Sequence, residues 1–208
     1  MRLWVRHLLA ACLLVPAVIA FAEGRPEPRP AAAARAGAVC GDPRLVGTEL
    51  PAIAGDGVCG IDAPVALARA AGVALDPPAT VACPTARALA DWLGQGPLAS
   101  FARQGAALER LVVVDAYSCR NRNRQEAGKL SQHALGRAID VGGFGLRDGR
   151  TVTVLEGWTS PEWGPPLRRI HAAGCGRFGT VLGPEANALH ADHLHLDVEE
   201  RRSGAYCE

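Results

Sequence analysis

From residue 40 onward, apolar positions fall into short runs broken by Gly, Pro and charged residues, and the runs switch between helical and strand spacing. Asp62-Ala63-Pro64 reads as a helix start, an acidic N-cap followed by an early proline. Across residues 84–93, Leu89, Trp92 and Leu93 share one helical face, and Gly94 ends the run. Residues 111–116 (LVVVDA) predict a buried strand from their length and β-branching. Residues 137–142 and 151–155 alternate as strands, with Asp148-Gly149-Arg150 turning between them. Ser160-Pro161-Glu162 opens another helix that Gly174 closes, and residues 194–198 predict the last strand. Together these elements predict a compact α+β domain with a mainly antiparallel sheet and flanking helices.

The N-terminus has a different pattern. Arg2 and Arg6 precede an apolar stretch over residues 8–22 that ends in Ala20-Phe21-Ala22 before Glu23. This predicts a signal peptide, residues 1–22, cut after Ala22. The stretch is shorter than the roughly 20 residues that span a bilayer, so the expected location is periplasmic or secreted, with no membrane contact after cleavage. The rival reading is an uncleaved N-terminal anchor facing the periplasm. Residues 23–39 are rich in Pro, Ala and Arg, lack apolar periodicity and read as an extended spacer. The folded domain is expected over residues 40–208.

With 208 residues, 49% hydrophobic and 21% charged, the chain is long and apolar enough for one ordinary core and is not a disordered protein. A formal net charge of +1 gives no field to hold nucleic acid, and the basic stripe Arg120, Arg122, Arg124 has only Tyr117 as a nearby aromatic. No P-loop or dinucleotide-binding glycine motif occurs. Of seven cysteines, Cys12 lies in the signal. Cys40, Cys59, Cys83, Cys119, Cys175 and Cys207 remain, an even set that predicts three disulfides in an exported chain without fixing the pairing. That oxidised state also argues against Cys119 acting as a thiol nucleophile with His133.

Histidine placement points to chemistry. His190, His193 and His195 crowd into one decapeptide. On a strand over residues 194–198, His193, His195 and Asp197 share one face while Leu194, Leu196 and Val198 point to the core. Upstream, His133 and Asp140 are seven residues apart, too far along a helix for one metal. Gly136 between them, ahead of a strand pattern, suggests a turn that brings His133 back beside Asp140. Imidazole and carboxylate suit zinc, and one more histidine completes three protein ligands with a position open for water. A closed structural zinc site would need a fourth ligand, for which Asp197 and His190 are available. Trp158 and Trp163 are expected in packing, with a sugar or peptide groove as the other reading.

Ser131-Gln132-His133-Ala134-Leu135-Gly136-Arg137-Ala138-Ile139-Asp140 followed by Asp192-His193-Leu194-His195 resembles the zinc peptidases that cleave peptidoglycan bonds involving D-amino acids. These include D-alanyl-D-alanine carboxypeptidases and the penicillin-insensitive murein endopeptidase, and the hedgehog signalling domain shares their fold. With Tyr117-Ser118-Cys119-Arg120-Asn121-Arg122-Asn123 and Phe178-Gly179-Thr180-Val181-Leu182-Gly183-Pro184 added, the chain is similar to the bacterial extensin-like C-terminal domain over residues 40–207. The resemblance implies that His133, Asp140 and His195 hold one Zn2+. It implies that His193 sits beside the attacking water, that Asp192 is the rival general base, and that Arg120 offsets negative charge on the substrate. The implied activity is hydrolysis of stem or cross-link peptides of peptidoglycan. A non-catalytic wall-binding module on the same fold is the alternative.

Overall fold

The computed structural model describes residues 37–208; the expected signal peptide and spacer residues 23–36 lie outside the described residues. Strand β1 (Gly37–Val39) pairs antiparallel with β2 (Asp42–Glu49), so the last three residues read as spacer belong to the sheet. A small hairpin of β3 (Ile53–Ala54) and β4 (Gly60–Ile61) stands off the main sheet. Then come β5 (Pro64–Ala70) and β6 (Val73–Ala82), a long hairpin beside β2. The expected helix start at Asp62-Ala63-Pro64 is therefore overturned. Pro64 opens a strand, a position where its missing N–H costs little, and Val65 and Leu67 alternate into the core.

Helix α1 (Cys83–Gln95) buries Leu89, Trp92 and Leu93 as their spacing predicts and runs one residue past Gly94. Helix α2 (Pro97–Arg103) leads into β7 (Leu108–Asp115), whose Leu111 and Val113 are buried. Strand β8 (Ala138–Leu146) is buried along nearly its whole length because it is paired on both edges. β7 lies along one edge, while β9 (Thr151–Thr153) and later β11 share the other. The strand expected over residues 151–155 stops at Thr153. There the hydroxyl accepts from the Glu156 N–H at 3.2 Å and caps the short helix α3 (Val154–Gly157). Helix α4 (Gly164–Gly174) starts later than Ser160, whose hydroxyl accepts the Glu162 and Trp163 N–H groups, and ends at Gly174 as expected.

Strands β10 (Thr180–Leu182), β11 (Leu194–Asp197) and β12 (Tyr206–Cys207) complete the sheet, so β11 is followed by one further strand. The order is β1-β2-β5-β6-β7-β8-β11-β10-β12, antiparallel except for β6–β7 and β10–β12. The domain is α+β, with helices packed on the sheet around Trp92, Phe101, Phe144 and Phe178. Trp92 Nε1 donates to the Ile170 carbonyl at 2.9 Å, so this large ring is buried with its one donor satisfied. Trp158 is buried and Trp163 packs half-buried against the core, as the packing reading expects.

All six expected cysteines are paired: Cys40–Cys83, Cys59–Cys119 and Cys175–Cys207. The first fastens β1 to α1. The second ties the β3–β4 hairpin to the loop after β7, and the third holds the C-terminal strand against the end of α4. Among the described residues no helix is long and apolar enough to cross a membrane.

Candidate metal centre

The site is built from one turn and two strands. Ser131 Oγ accepts from the His133 N–H at 3.4 Å and opens a 3-10 turn over Gln132–Leu135. Gly136 closes that turn in the left-handed region at φ 63°, where a Cβ would collide with Ile61 and lie 3.0 Å from Ala82 N. Its carbonyl accepts from Ala82 N and from Thr85 Oγ1, each at 2.9 Å. The chain is thereby reversed, and His133 returns to Asp140 near the start of β8. In the antiparallel pairing of β8 with β11, Asp140 lies directly opposite His195, and Ile139 opposite Leu196. The strand period of two then sorts the side chains: Leu194 and Leu196 go to the core, and His195 and Asp197 to the other face.

His133, Asp140 and His195 come together as the sequence resemblance implies, with one ligand atom from each within 4.8 Å of the others. His195 Nδ1 is 2.8 Å from Asp140 Oδ1, and His133 Nε2 is 3.2 Å from both. The far side of each ring sets its tautomer. His133 Nδ1 lies 2.6 Å from the Ala116 carbonyl, which can only accept, so this nitrogen carries the proton and Nε2 presents a lone pair. His195 Nε2 donates to Asp197 Oδ2 at 3.2 Å, which turns Nδ1 inward. Three ligand atoms thus converge, and without an ion a proton on His195 Nδ1 shared with Asp140 satisfies them. Two imidazoles and one carboxylate with oriented outer partners fit zinc.

Electrostatics favour that proton. Burial opposes the charge on His195, but the Asp140 and Asp197 carboxylates outweigh it and hold its pKa up at about 9. Burial also works against an ionised Asp140, yet the facing His133 and His195 rings keep its carboxyl well below the usual carboxylate range. Asp197 is likewise held low, burial being overcome by His195 and by the Glu199 N–H. Neither residue suggested as a fourth ligand joins the three. Asp197 grips the back of His195, and His190 donates from Nδ1 to Asn187 Oδ1 at 2.9 Å. His190 is kept neutral, with its pKa pushed down to about 4 by burial and by its neighbours His193 and His195.

His193 stands beside the cluster, its Nε2 3.6 Å from Asp140 Oδ2. Its Nδ1 donates to Asp192 Oδ1 at 2.8 Å, so Asp192 engages the far side of that ring. Arg120 Nη2 pairs with Asp115 Oδ2 at 2.9 Å and reaches Asp140 Oδ2 at 4.0 Å. All of these residues line one cleft of about 620 Å³. Sequence reasoning did not single out Asp115, Ser131 as a cap, or Arg124 as a cleft residue. Asp115 had a signal, a carboxylate closing an otherwise apolar strand run. His171 lies elsewhere, 3.2 Å from the Glu208 carbonyl and edge-on to Trp158.

A ten-stranded, mostly antiparallel α+β domain braced by disulfides and bearing a His-Asp-His cluster in a cleft defines the class to which this chain belongs. Residues 39–208 match the family described as extensin-like protein C-terminus, and the chain is a member of that family. A search of curated proteins and a search of solved structures find no match to it.

Proposed function

We propose that this protein is an exported, zinc-dependent hydrolase of peptidoglycan peptides. The observation that carries the reading is the convergence of His133 Nε2, Asp140 Oδ1 and His195 Nδ1, with the His193–Asp192 pair beside them. His133, Asp140 and His195 would hold the ion. When bound, zinc supplies Lewis acidity toward a water and a peptide carbonyl.

The chain's own residues supply the rest. His193 Nε2 accepts a proton from the attacking water and returns it to the leaving amine. Asp192 orients that ring through Nδ1–H and steadies the imidazolium, which makes Asp192 a positioning residue and His193 the base. Arg120, fixed by Asp115, offsets negative charge on the carbonyl oxygen. Three disulfides favour an oxidising compartment, in keeping with export by the expected signal peptide to the periplasm or beyond.

The test is metal content by plasma mass spectrometry on the oxidised protein and on His195→Ala, followed by digestion of purified sacculi. About one zinc per chain, lost in the variant, with release of wall peptides, supports the reading. Zinc without peptide release, accompanied by sedimentation with sacculi, supports the non-catalytic wall-binding alternative.

A further inference from the structure

The cleft carries two features beyond the metal cluster and its base. The first is a shared carboxylate. Asp115 Oδ2 serves two guanidiniums at once, Arg120 at 2.9 Å and Arg124 at 3.4 Å, while Asp115 Oδ1 is occupied by the Ala116 N–H at 2.9 Å. Arg120 Nε is buried without a partner, and the Arg124 side chain is 72% exposed in the cleft. Arg124 and Asn123 both sit in the left-handed region at φ 55°, a strained pair that presents this side chain. With Asp140 committed to the ion, as the hydrolase reading has it, the two guanidiniums on Asp115 leave a positive charge and several N–H donors for a second anion.

The second feature is apolar. Among the described residues five large hydrophobic side chains are exposed, and three of them, Val114, Leu189 and Tyr206, line this cleft. Exposed apolar side chains gathered in a groove mark a binding surface.

We infer that Arg124, held on the carboxylate it shares with Arg120, forms a carboxylate subsite and that Val114 and Leu189 take a small apolar side chain. The ligand is then a short acidic peptide. Contacts of 3.4, 2.9 and 4.0 Å lead from Arg124 through Asp115 and Arg120 to Asp140. An extended residue spans about 3.3–3.6 Å, so the carboxylate lies about one to three residues from a carbonyl at the cluster. The bond to be cut is placed by the hydrolase reading, on which this part rests. Either a free C-terminal carboxylate or the α-carboxylate of a γ-linked glutamate meets the requirement.

The probes are L-Ala-D-γ-Glu-L-Lys-D-Ala-D-Ala, its C-terminal amide, and the same peptide with D-isoglutamine at the second position. Each is titrated calorimetrically into the zinc-treated protein and into Arg124→Gln and Arg124→Lys, reading Kd, or KM where the peptide is cut. The expected result is that one neutralised probe binds wild type about tenfold or more weakly. Arg124→Gln abolishes that discrimination and Arg124→Lys keeps part of it. A weakened amide names the C-terminus as the source, and a weakened isoglutamine peptide names the glutamate. Equal affinity for all three probes, or none for any, overturns the subsite. Carboxylate-dependent binding without cleavage keeps the subsite and sinks the hydrolase reading. Cleavage indifferent to both carboxylates does the reverse.

Discussion

Asp197 Oδ2 lies 3.2 Å from His195 Nε2 and holds the ring from behind, so that its other nitrogen meets Asp140 and His133. Asp197 was available in the sequence as a fourth ligand, and its position makes it a support for the third proposed ligand. Replacing a partner of this kind loosens a metal ligand without removing it. Asp197→Asn is expected to keep the fold and weaken zinc binding about 10–100-fold. His133→Ala and His195→Ala are expected to abolish binding. Competition with a zinc-responsive chelating dye measures all three.

His193 and Asp192 separate base from support. His193→Ala is expected to retain zinc and lower the rate of wall-peptide release about 10²–10⁴-fold. Asp192→Ala, which removes only the carboxylate at Nδ1, is expected to cost less. Full activity in His193→Ala would show that the base lies elsewhere.

The raised His195 pKa fixes the direction of a pH effect. In chelator-treated protein this group, at about 9 folded against 6.5 ordinarily, contributes stability that is fully present below about pH 6.5. That contribution is lost as pH rises through about 9. The stability difference between wild type and His195→Gln, from urea melts, is expected to shrink over that window. Zinc must displace the same proton, so its affinity is expected to climb about tenfold per pH unit toward that value. An affinity that does not change with pH would mean that His195 is not a ligand.

The Cys59–Cys119 bridge closes a loop with a separation of 60 residues, and Cys119 adjoins Arg120. Loop closure of that length is worth about 4 kcal/mol. Cys59→Ser combined with Cys119→Ser is expected to lower Tm by about 10 °C. Zinc stoichiometry is expected to hold, because none of the three ligands lies in the loop between Cys119 and Ser131. Calorimetry and metal analysis on one preparation check both.

Gly136 tests the turn. Gly136→Ala places a methyl against Ile61 at a left-handed backbone position, with an expected loss of about 1–3 kcal/mol. His133 is carried with the turn, so zinc affinity is expected to fall as well. An unchanged denaturant midpoint would remove the turn from the account.

Legibility followed how locally each feature is encoded. β11 could be read because Leu194 and Leu196 alternate with His195 and Asp197, whereas β8, buried along nearly its whole length, leaves no period of two and runs four residues past the stretch read as alternating. The meeting of His133 with Asp140 followed because their spacing suits one turn, and His195 joined them through the family resemblance. The β5–β6 hairpin was misread at its start, since an acid followed closely by proline is as good an opening for a strand as for a helix. Alanine-rich residues after Val65 carry little strand preference of their own, and β5 is a strand because β2 and β6 flank it. Residues 151–155 misled differently, because the Thr153–Glu156 cap was present but overshadowed by alternation. Of Asp115, Arg120 and Arg124, only Arg120 was read as a site residue. Their meeting depends on the loop after β7, which no period describes.

If the proposed zinc site is right, the pairing of Asp140 with His195 across β8 and β11 makes metal uptake an audit of folding. A slip of one residue between these strands would turn one of the two toward the core and leave the other alone on the open face. Molecules with misaligned strands would then hold no ion, even with every cysteine oxidised. Retention on a zinc-charged column after refolding would sort correctly aligned chains from their look-alikes, a distinction that a free-thiol assay does not make.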